Sequence, residues 1–384
     1  MAVHHIARLD TTKPHVVLIL QGGGALGAYH IGAYQALEEA GYLPDWVSGI
    51  SIGAINSAII VGNPPEARLA KLEALWDDIS RPDGWGALLG SNFRKMFNTT
   101  SAVEAILLGQ PNFFLPRFPS PYFTTAGTDA ATSFYDTRPL RATLERLADF
   151  ELINAGPARL SLGATQVTTG NLVFFDNRRQ TIGPEHVMAS GSLPPGFPAM
   201  RIDGELYWDG GCVSNTPLDA ILDDEPKGHT LVFMIDLWDA RGREPKTMDD
   251  VLWRQKQIQY ASRTAHHVQA VAKQQNLRRA LNLLAGHLPA EALASAAVKD
   301  ALALTYGTKM DIVHITYHPD SDQVPQSDAE FSRPSIAIRR AAGYADMKLA
   351  LKEAPWFNNT VAEPVGAVVH RVKGGEISSQ VLAA

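Results

Sequence analysis

Ser51 stands between two glycines in Gly49-Ile50-Ser51-Ile52-Gly53, and a serine so placed can present its hydroxyl as a nucleophile. The preceding Trp46-Val47-Ser48 reads as a short buried strand, and Ala54 to Ile60 is small and apolar, as a buried helix would be. A strand that turns sharply into a helix needs small residues on both sides of the turn, so Gly49 and Gly53 form the nucleophile elbow in this reading. The same turn aims the following backbone N–H groups toward the space in front of the hydroxyl. Alone, the string also describes an ordinary tight turn, so its weight depends on other features.

The first of these lies upstream. The apolar, β-branched run His15-Val16-Val17-Leu18-Ile19-Leu20 passes directly into Gln21-Gly22-Gly23-Gly24-Ala25-Leu26-Gly27. A strand, three glycines and then a helix leave backbone N–H donors free, and these suit either a phosphate or the oxyanion of an acyl-transfer intermediate. Gly22 to Gly27 formally satisfies the dinucleotide fingerprint. That fingerprint also requires an acidic residue at the end of the second strand, whereas Asp45 precedes Trp46-Val47-Ser48. No Gly-Lys-Ser/Thr ending follows, so the phosphate loop of nucleotide hydrolases is absent and the oxyanion reading is preferred.

The second is Trp208-Asp209-Gly210-Gly211, which follows an Asp203-Gly204 turn and a short Glu205-Leu206-Tyr207-Trp208 strand. A carboxylate at a strand end beside two glycines can approach a hydroxyl closely, and Asp209 could accept the proton of Ser51. Asp-Gly-Gly is also a plain turn signal, so this feature counts through its combination with the other two.

With these three motifs in this order, residues 14 to 220 resemble the patatin-like phospholipase family, and the resemblance implies that the less diagnostic remainder is an extension found in a bacterial subgroup. The resemblance implies an α/β fold of three layers, α/β/α, with a mainly parallel central sheet. It implies a Ser–Asp dyad without histidine, with Ser51 as nucleophile and Asp209 as base. It places the oxyanion donors at Gly22, Gly23, Gly24 and Ala25, and it matches Asn215 and Pro217 to positions that follow the dyad aspartate. The implied activity is hydrolysis of fatty acyl esters of phospholipids or other lipids through a covalent acyl-enzyme, with no cofactor. A nonenzymatic lipid-binding or scaffolding protein that keeps the fold is the alternative.

The elements that must position these residues can be read at lower resolution. With 384 residues, 45% hydrophobic and 19% charged, the chain can bury a large core. We expect a catalytic core over 14–240, with an aromatic- and proline-rich insertion at 81–136. A mainly helical extension over 241–384, with a strand near 309–317, would pack on that core. Helices are expected over Tyr29 to Ala40, Pro65 to Ile79, Glu185 to Ser190, Met248 to Gln275, Pro289 to Leu304 and Ser335 to Glu353, the last carrying the weak helix former Gly343 in its middle. Leu160 to Thr165 reads as a strand with Asn171 to Phe175 as its hairpin mate, Leu231 to Leu237 as a core strand, and Asn358 to Ala384 as a partly ordered or flexible tail. In the insertion, Phe93, Phe97, Phe113, Phe114, Phe118 and Tyr122 are interspersed with prolines; they fit a cover over an acyl-chain pocket or a local satellite core.

Several classes are excluded or disfavoured. A net charge of -6 argues against a general nucleic-acid binder. One cysteine excludes an intramolecular disulfide and an all-cysteine metal site, and Cys212 is expected to be a buried small residue. Twelve histidines include no HExxH or other ligand spacing, so no metal is expected. His30 and His186 are the histidines near the motifs that a conventional triad would use, with His229 the earliest that follows them in α/β-hydrolase order; the dyad is preferred. No apolar run approaches a membrane span and no signal peptide is read, so the expected location is cytoplasmic, with any membrane contact peripheral to the inner face. The C-terminal helices would serve a homodimer or extend the substrate surface.

Overall fold

His15–Leu20 forms β1, at the centre of a ten-stranded sheet in a computed structural model that describes residues 14–81, 91–222, 229–305, 308–319, 323–357 and 365–380. The remaining strands are β2 (Trp46–Ile50), β3 (Leu115–Pro116), β4 (Tyr135–Asp136), β5 (Arg159–Gln166), β6 (Leu172–Asp176), β7 (Met200–Ile202), β8 (Glu205–Asp209), β9 (Thr230–Asp236), β10 (Met310–Thr316), β11 (Ala367–Lys373) and β12 (Glu376–Gln380). The order in the large sheet is β12-β11-β10-β9-β1-β2-β5-β8-β7, with β6 also paired to β5; β3 and β4 form a separate two-stranded sheet. From β11 to β5 every pairing is parallel, whereas β12, β6, β8 and β7 add antiparallel pairings at the two ends. The fold is mixed α/β, with a central sheet and flanking helices.

Alternation along β1 shows why both faces are covered. Val16, Leu18 and Leu20 enter one apolar core, and Val17 and Ile19 enter another on the opposite face. The first core contains α1 (Tyr29–Glu39) and α2 (Ile52–Val61), together with residues of the Arg333–Glu353 helix. The second is closed by Val268, Val271 and Ala272 of the Met248–Ala285 helix.

Gly343 does not break the Arg333–Glu353 helix. A Cβ at Gly343 would lie 2.0 Å from the Tyr29 carbonyl oxygen, and one at Gly32 would lie 1.9 Å from the Arg340 carbonyl oxygen. These two glycines let α1 and the C-terminal helix touch backbone to backbone. Their role is packing, and propensity alone misses it.

The extension supplies three strands to the large sheet, not the single one expected. β11 and β12 fall within the segment read as a tail, joined by Gly374 and Gly375 at φ +57° and +80°. That Gly-Gly turn between Val-rich and polar runs is a hairpin signal. The Met248 helix runs ten residues beyond the expected end, to Ala285, and the expected Pro289–Leu304 helix is two short ones, Ala290–Ala294 and Ala296–Leu302. β5 and β6 do form the expected hairpin pair.

Within the insertion, 82–90 and the Phe93 side chain lie outside the described residues. Phe113 and Phe114 are buried against Tyr135, Phe197 and Phe331, a satellite core. Phe118, Tyr122 and Phe123 are instead 99%, 82% and 82% exposed. Cys212 is exposed, contrary to expectation, because it sits in the short turn after Asp209 and not in a strand.

Candidate active site

β5 acts as a template for the site. β2 runs parallel to it and ends with Ile50 opposite Gly163, while β8 runs antiparallel and ends with Asp209 opposite Ala164. β6 occupies the other edge of β5, so β2 and β8 share one edge and approach each other head to head. Ser51, the next residue after β2, therefore meets Asp209. Its hydroxyl faces the Asp209 carboxylate closely enough to act against the rise in that carboxyl's pKa.

Ser51 has φ +57° and ψ -125°, a conformation costly for a residue with a Cβ, and strain of this kind concentrates at functional sites. Several contacts hold it there. Its N–H donates to both the carbonyl and the hydroxyl oxygen of Ser190 at 3.1 Å, and the Ser190 hydroxyl donates to Gly163 O at 2.6 Å. Its carbonyl accepts from the N–H groups of Ala54 and Ile55, which starts α2. The elbow glycines are required by space: a Cβ at Gly53 would lie 2.1 Å from Leu20 O, and one at Gly49 would lie 2.4 Å from Gly53 O. Ser51 itself remains half-buried and reachable.

Asp209 is 1% exposed. Its Oδ1 accepts the Gly211 N–H at 2.7 Å, which uses the flexible Asp-Gly-Gly turn to cap the short helix that follows. Burial pushes the carboxyl up to about 6, opposed by the Ser51 hydroxyl and by the hydrogen bond from Gly211. An aspartate raised this far remains ionised at neutral pH and is a better base than an exposed one.

The glycine loop is drawn against the same point. A Cβ at Gly22 would lie 3.0 Å from Ser51 Cβ and 2.3 Å from Asn215 Oδ1. Asn215 clamps this residue by donating through Nδ2 to Gly22 O at 2.6 Å, while the Gly22 N–H donates to Asn215 O at 3.2 Å. The Gly22 N–H is thus occupied. Among the described residues, the N–H groups of Gly23, Gly24 and Ala25 donate to no protein acceptor; Gly23 and Gly24 are half-buried, whereas Ala25 is fully buried. Of the four sequence candidates, Gly23 and Gly24 are the accessible free donors.

Residues that the motifs did not reveal hold this loop. Gln21 Oε1 accepts from the N–H groups of Leu237 and Trp238 at 2.6 and 3.1 Å, and the Trp238 indole N–H donates to Gly22 O at 2.9 Å. Gly24, at φ +54°, lies under the C-terminal segment, and a Cβ there would come within 2.2 Å of Asp328 O. Arg339 is 3% exposed and donates to the carbonyls of Ala25, Ser327 and Glu330 at 3.1, 3.0 and 2.8 Å. The extension therefore fixes the back of the glycine loop. Only the position of Gln21 immediately before the glycines gave any sequence signal.

Neither histidine alternative engages the pair. His30 is buried with Nδ1 3.1 Å from Asn56 Nδ2, and burial lowers its pKa to about 3. His186 accepts the Gly183 N–H at 2.9 Å and caps its own helix, with burial lowering its pKa. Among the described residues, no histidine hydrogen-bonds to Ser51 or Asp209, and no group of three or more His, Cys, Asp or Glu is placed to hold a metal ion. No described helix is long and apolar enough to cross a membrane.

A strained serine on a strand-to-helix turn, a buried aspartate and a glycine loop stand together on one mixed α/β sheet, the class of protein the fold defines. Residues 18–222 match the patatin-like phospholipase family, and the chain belongs to that family. Residues 258–363 match a second model described as patatin phospholipase, a C-terminal patatin-associated domain.

Among curated relatives, a patatin-like phospholipase domain-containing protein of Caenorhabditis elegans is 34% identical over 221 residues, covering 56% of this chain and 13% of that protein. A lysophospholipase of Aspergillus fumigatus is 24% identical over 249 residues, covering 65% of this chain and 14% of its own length. Neuropathy target esterase of Drosophila melanogaster is 55% identical over 48 residues, 12% of this chain and 3% of its own. The aligned regions thus span less than a sixth of these relatives. Among solved structures, VipD from Legionella pneumophila aligns at 16% identity with a TM-score of 0.33, covering 87% of this chain and 67% of its own.

Proposed function

We propose that this chain is a serine acyl-ester hydrolase acting on phospholipids or other lipid esters, with Ser51 as nucleophile and Asp209 as its base. The observation that carries the reading is the meeting, at the ends of β2 and β8, of a strained, half-buried Ser51 with a fully buried Asp209 whose carboxyl is raised to about 6. Ser51 Oγ attacks the ester carbonyl carbon as its proton passes to Asp209. The N–H groups of Gly23 and Gly24 receive the negative charge that develops on the carbonyl oxygen. Collapse expels the alcohol, which takes the proton from Asp209 and leaves an acyl-Ser51 ester. Water, deprotonated by Asp209, then releases the fatty acid and regenerates the serine.

The lipid substrate class follows from family membership and is supported by the exposed Phe118, Tyr122 and Phe123, which suit peripheral contact with a lipid surface. The test is fatty-acid release from phosphatidylglycerol vesicles and from a p-nitrophenyl ester. Wild type should turn over both and Ser51→Ala neither. A folded wild-type protein that retains lipid without releasing fatty acid would instead favour the nonenzymatic lipid-binding reading.

A further inference from the structure

Three neighbouring strands change character at the same level. On one face of the sheet, β9 runs Val232, Met234, then Asp236; β10 runs Met310, Ile312, then His314 and Thr316; β11 runs Ala367, Val369, then Arg371 and Lys373. The earlier residues of each series enter the second apolar core. Register places Asp236 beside Thr316 and His314 beside Arg371, so the polar residues form one layer at the carboxyl ends of the strands. This layer floors a cavity of about 310 Å³, roofed in part by Ala261 and Thr264 of the Met248–Ala285 helix. Neither Ser51 nor Asp209 lines it. The carboxyl ends of parallel strands are where open α/β sheets bind ligands.

The charges in this layer are unequally satisfied. Asp236 is hydrogen-bonded to His314 Nε2 at 2.8 Å, and Asp239 is paired with Lys373 at 2.5 Å and with His318 at 3.2 Å. Lys373 therefore balances the charge of Asp239 within the wall, and Asp236 has a hydrogen-bond partner there. Arg371 has only the neutral Gln380 Oε1, at 2.9 Å, and among the described residues the Arg241 guanidinium has no carboxylate partner. Arg241 and Arg371 both line the cavity, and burial together with the nearby Arg241 charge lowers the pKa of Arg371. Glu376 is the remaining carboxylate at the rim. Hydroxyl groups of Thr264, Thr316 and Ser378 line the rest.

We infer that this cavity is a second ligand site, which takes a small hydroxylated oxyanion, a phosphorylated or carboxylated polyol, with its anionic group between Arg241 and Arg371. Guanidinium groups match such oxygens in paired geometry, and the hydroxyl groups of the ligand would meet the threonines, Ser378 and Asp236. The wall touches the catalytic loop through Trp238, which lines the cavity and donates to Gly22 O. The inference does not depend on the hydrolase reading.

Calorimetric titration of the full chain at fixed ionic strength tests it, with glycerol 3-phosphate, glycerate and inorganic phosphate as separate probes. One-site saturable binding of glycerol 3-phosphate or glycerate is expected, and the stronger of the two identifies the anionic group preferred. Inorganic phosphate should bind more weakly than glycerol 3-phosphate, because it lacks the polyol. Arg371→Met and Arg241→Met should each weaken binding at least tenfold, and Glu376→Gln should tighten it by removing a like charge. Arg241 is on an exposed loop, so its variant should fold even if Arg371→Met does not. Ser51→Ala should bind as wild type. Absence of saturation with both polyol probes, or unchanged affinity in Arg241→Met, would overturn the inference; neither result bears on ester hydrolysis.

Discussion

Ser51 and Asp209 are brought together by the adjacent β5 residues Gly163 and Ala164, against which β2 and β8 end from opposite directions. The contact is a product of sheet register. A one-residue slip of either strand would turn its side chains to the other face of the sheet and separate the pair. Sequence distance between the two residues is irrelevant to this geometry.

Removing the base while keeping its shape should isolate its chemical role. Asp209→Asn is expected to lower the chemical step by about 10²–10⁴-fold, the usual effect of losing a general base. His30→Ala and His186→Ala should keep most activity in protein that remains folded. The comparison is made at saturating ester with circular dichroism as the folding control. Near-wild-type turnover by Asp209→Asn beside a dead, folded histidine variant would replace the dyad with a histidine mechanism.

The raised Asp209 carboxyl sets the sign of the pH dependence. The base must be ionised, so kcat/KM should rise with pH through an inflection near the value of about 6 and reach a plateau above it. A stopped-flow ester assay from pH 4.5 to 8 reads this directly. A profile that falls across that interval would contradict the role of Asp209 as base.

The same shift has a cost in stability. A carboxyl raised from 3.8 to about 6 on folding stabilises the protein fully only below the unfolded value, and that contribution is lost as pH rises through the folded one. Its magnitude is roughly 3 kcal/mol. Asp209→Asn should therefore gain stability relative to wild type between pH 4 and pH 8, as read by urea unfolding at each pH. An equal difference at both pH values would show that the carboxyl is not destabilised by burial.

Arg339 links the extension to the glycine loop. Arg339→Met would leave the Ala25, Ser327 and Glu330 carbonyls without their donor and strip the buried Glu330 carboxylate of the guanidinium 3.6 Å away. Breaking a buried pair in this way typically costs about 3–5 kcal/mol. Chemical denaturation should show a loss of that order, with Arg339→Lys intermediate. A change within about 0.5 kcal/mol, the range of ordinary surface substitutions, would remove Arg339 from its structural role.

What could be read from the sequence divides along physical lines. Ser51, the Gly22–Gly24 run and Asp209 were legible because each needs local backbone chemistry that few residue types provide. The β5–β6 pair and β9 were legible from alternation and apolar runs. Arg339 and Trp238 were not, and Gln21 only by its place before the glycines, because the contacts that join them to or across the glycine loop span hundreds of residues and a single arginine or tryptophan carries no local signature. The packing role of Gly343 was hidden for the same reason: its value depends on Tyr29 across a helix interface, which propensity cannot represent. β11 and β12 were lost because a short strand and its polar hairpin mate near a chain end resemble a tail, although Gly374-Gly375 marked the turn.

The central claim is that Ser51 becomes covalently acylated, and intact-mass spectrometry after exposure to a fluorophosphonate measures its nucleophilicity most directly. The wild-type protein should gain one phosphonyl adduct, mapped by peptide fragmentation to Ser51, and folded Ser51→Ala should gain none. A folded wild-type protein that stays unlabelled, or one labelled at a residue other than Ser51, would contradict the account.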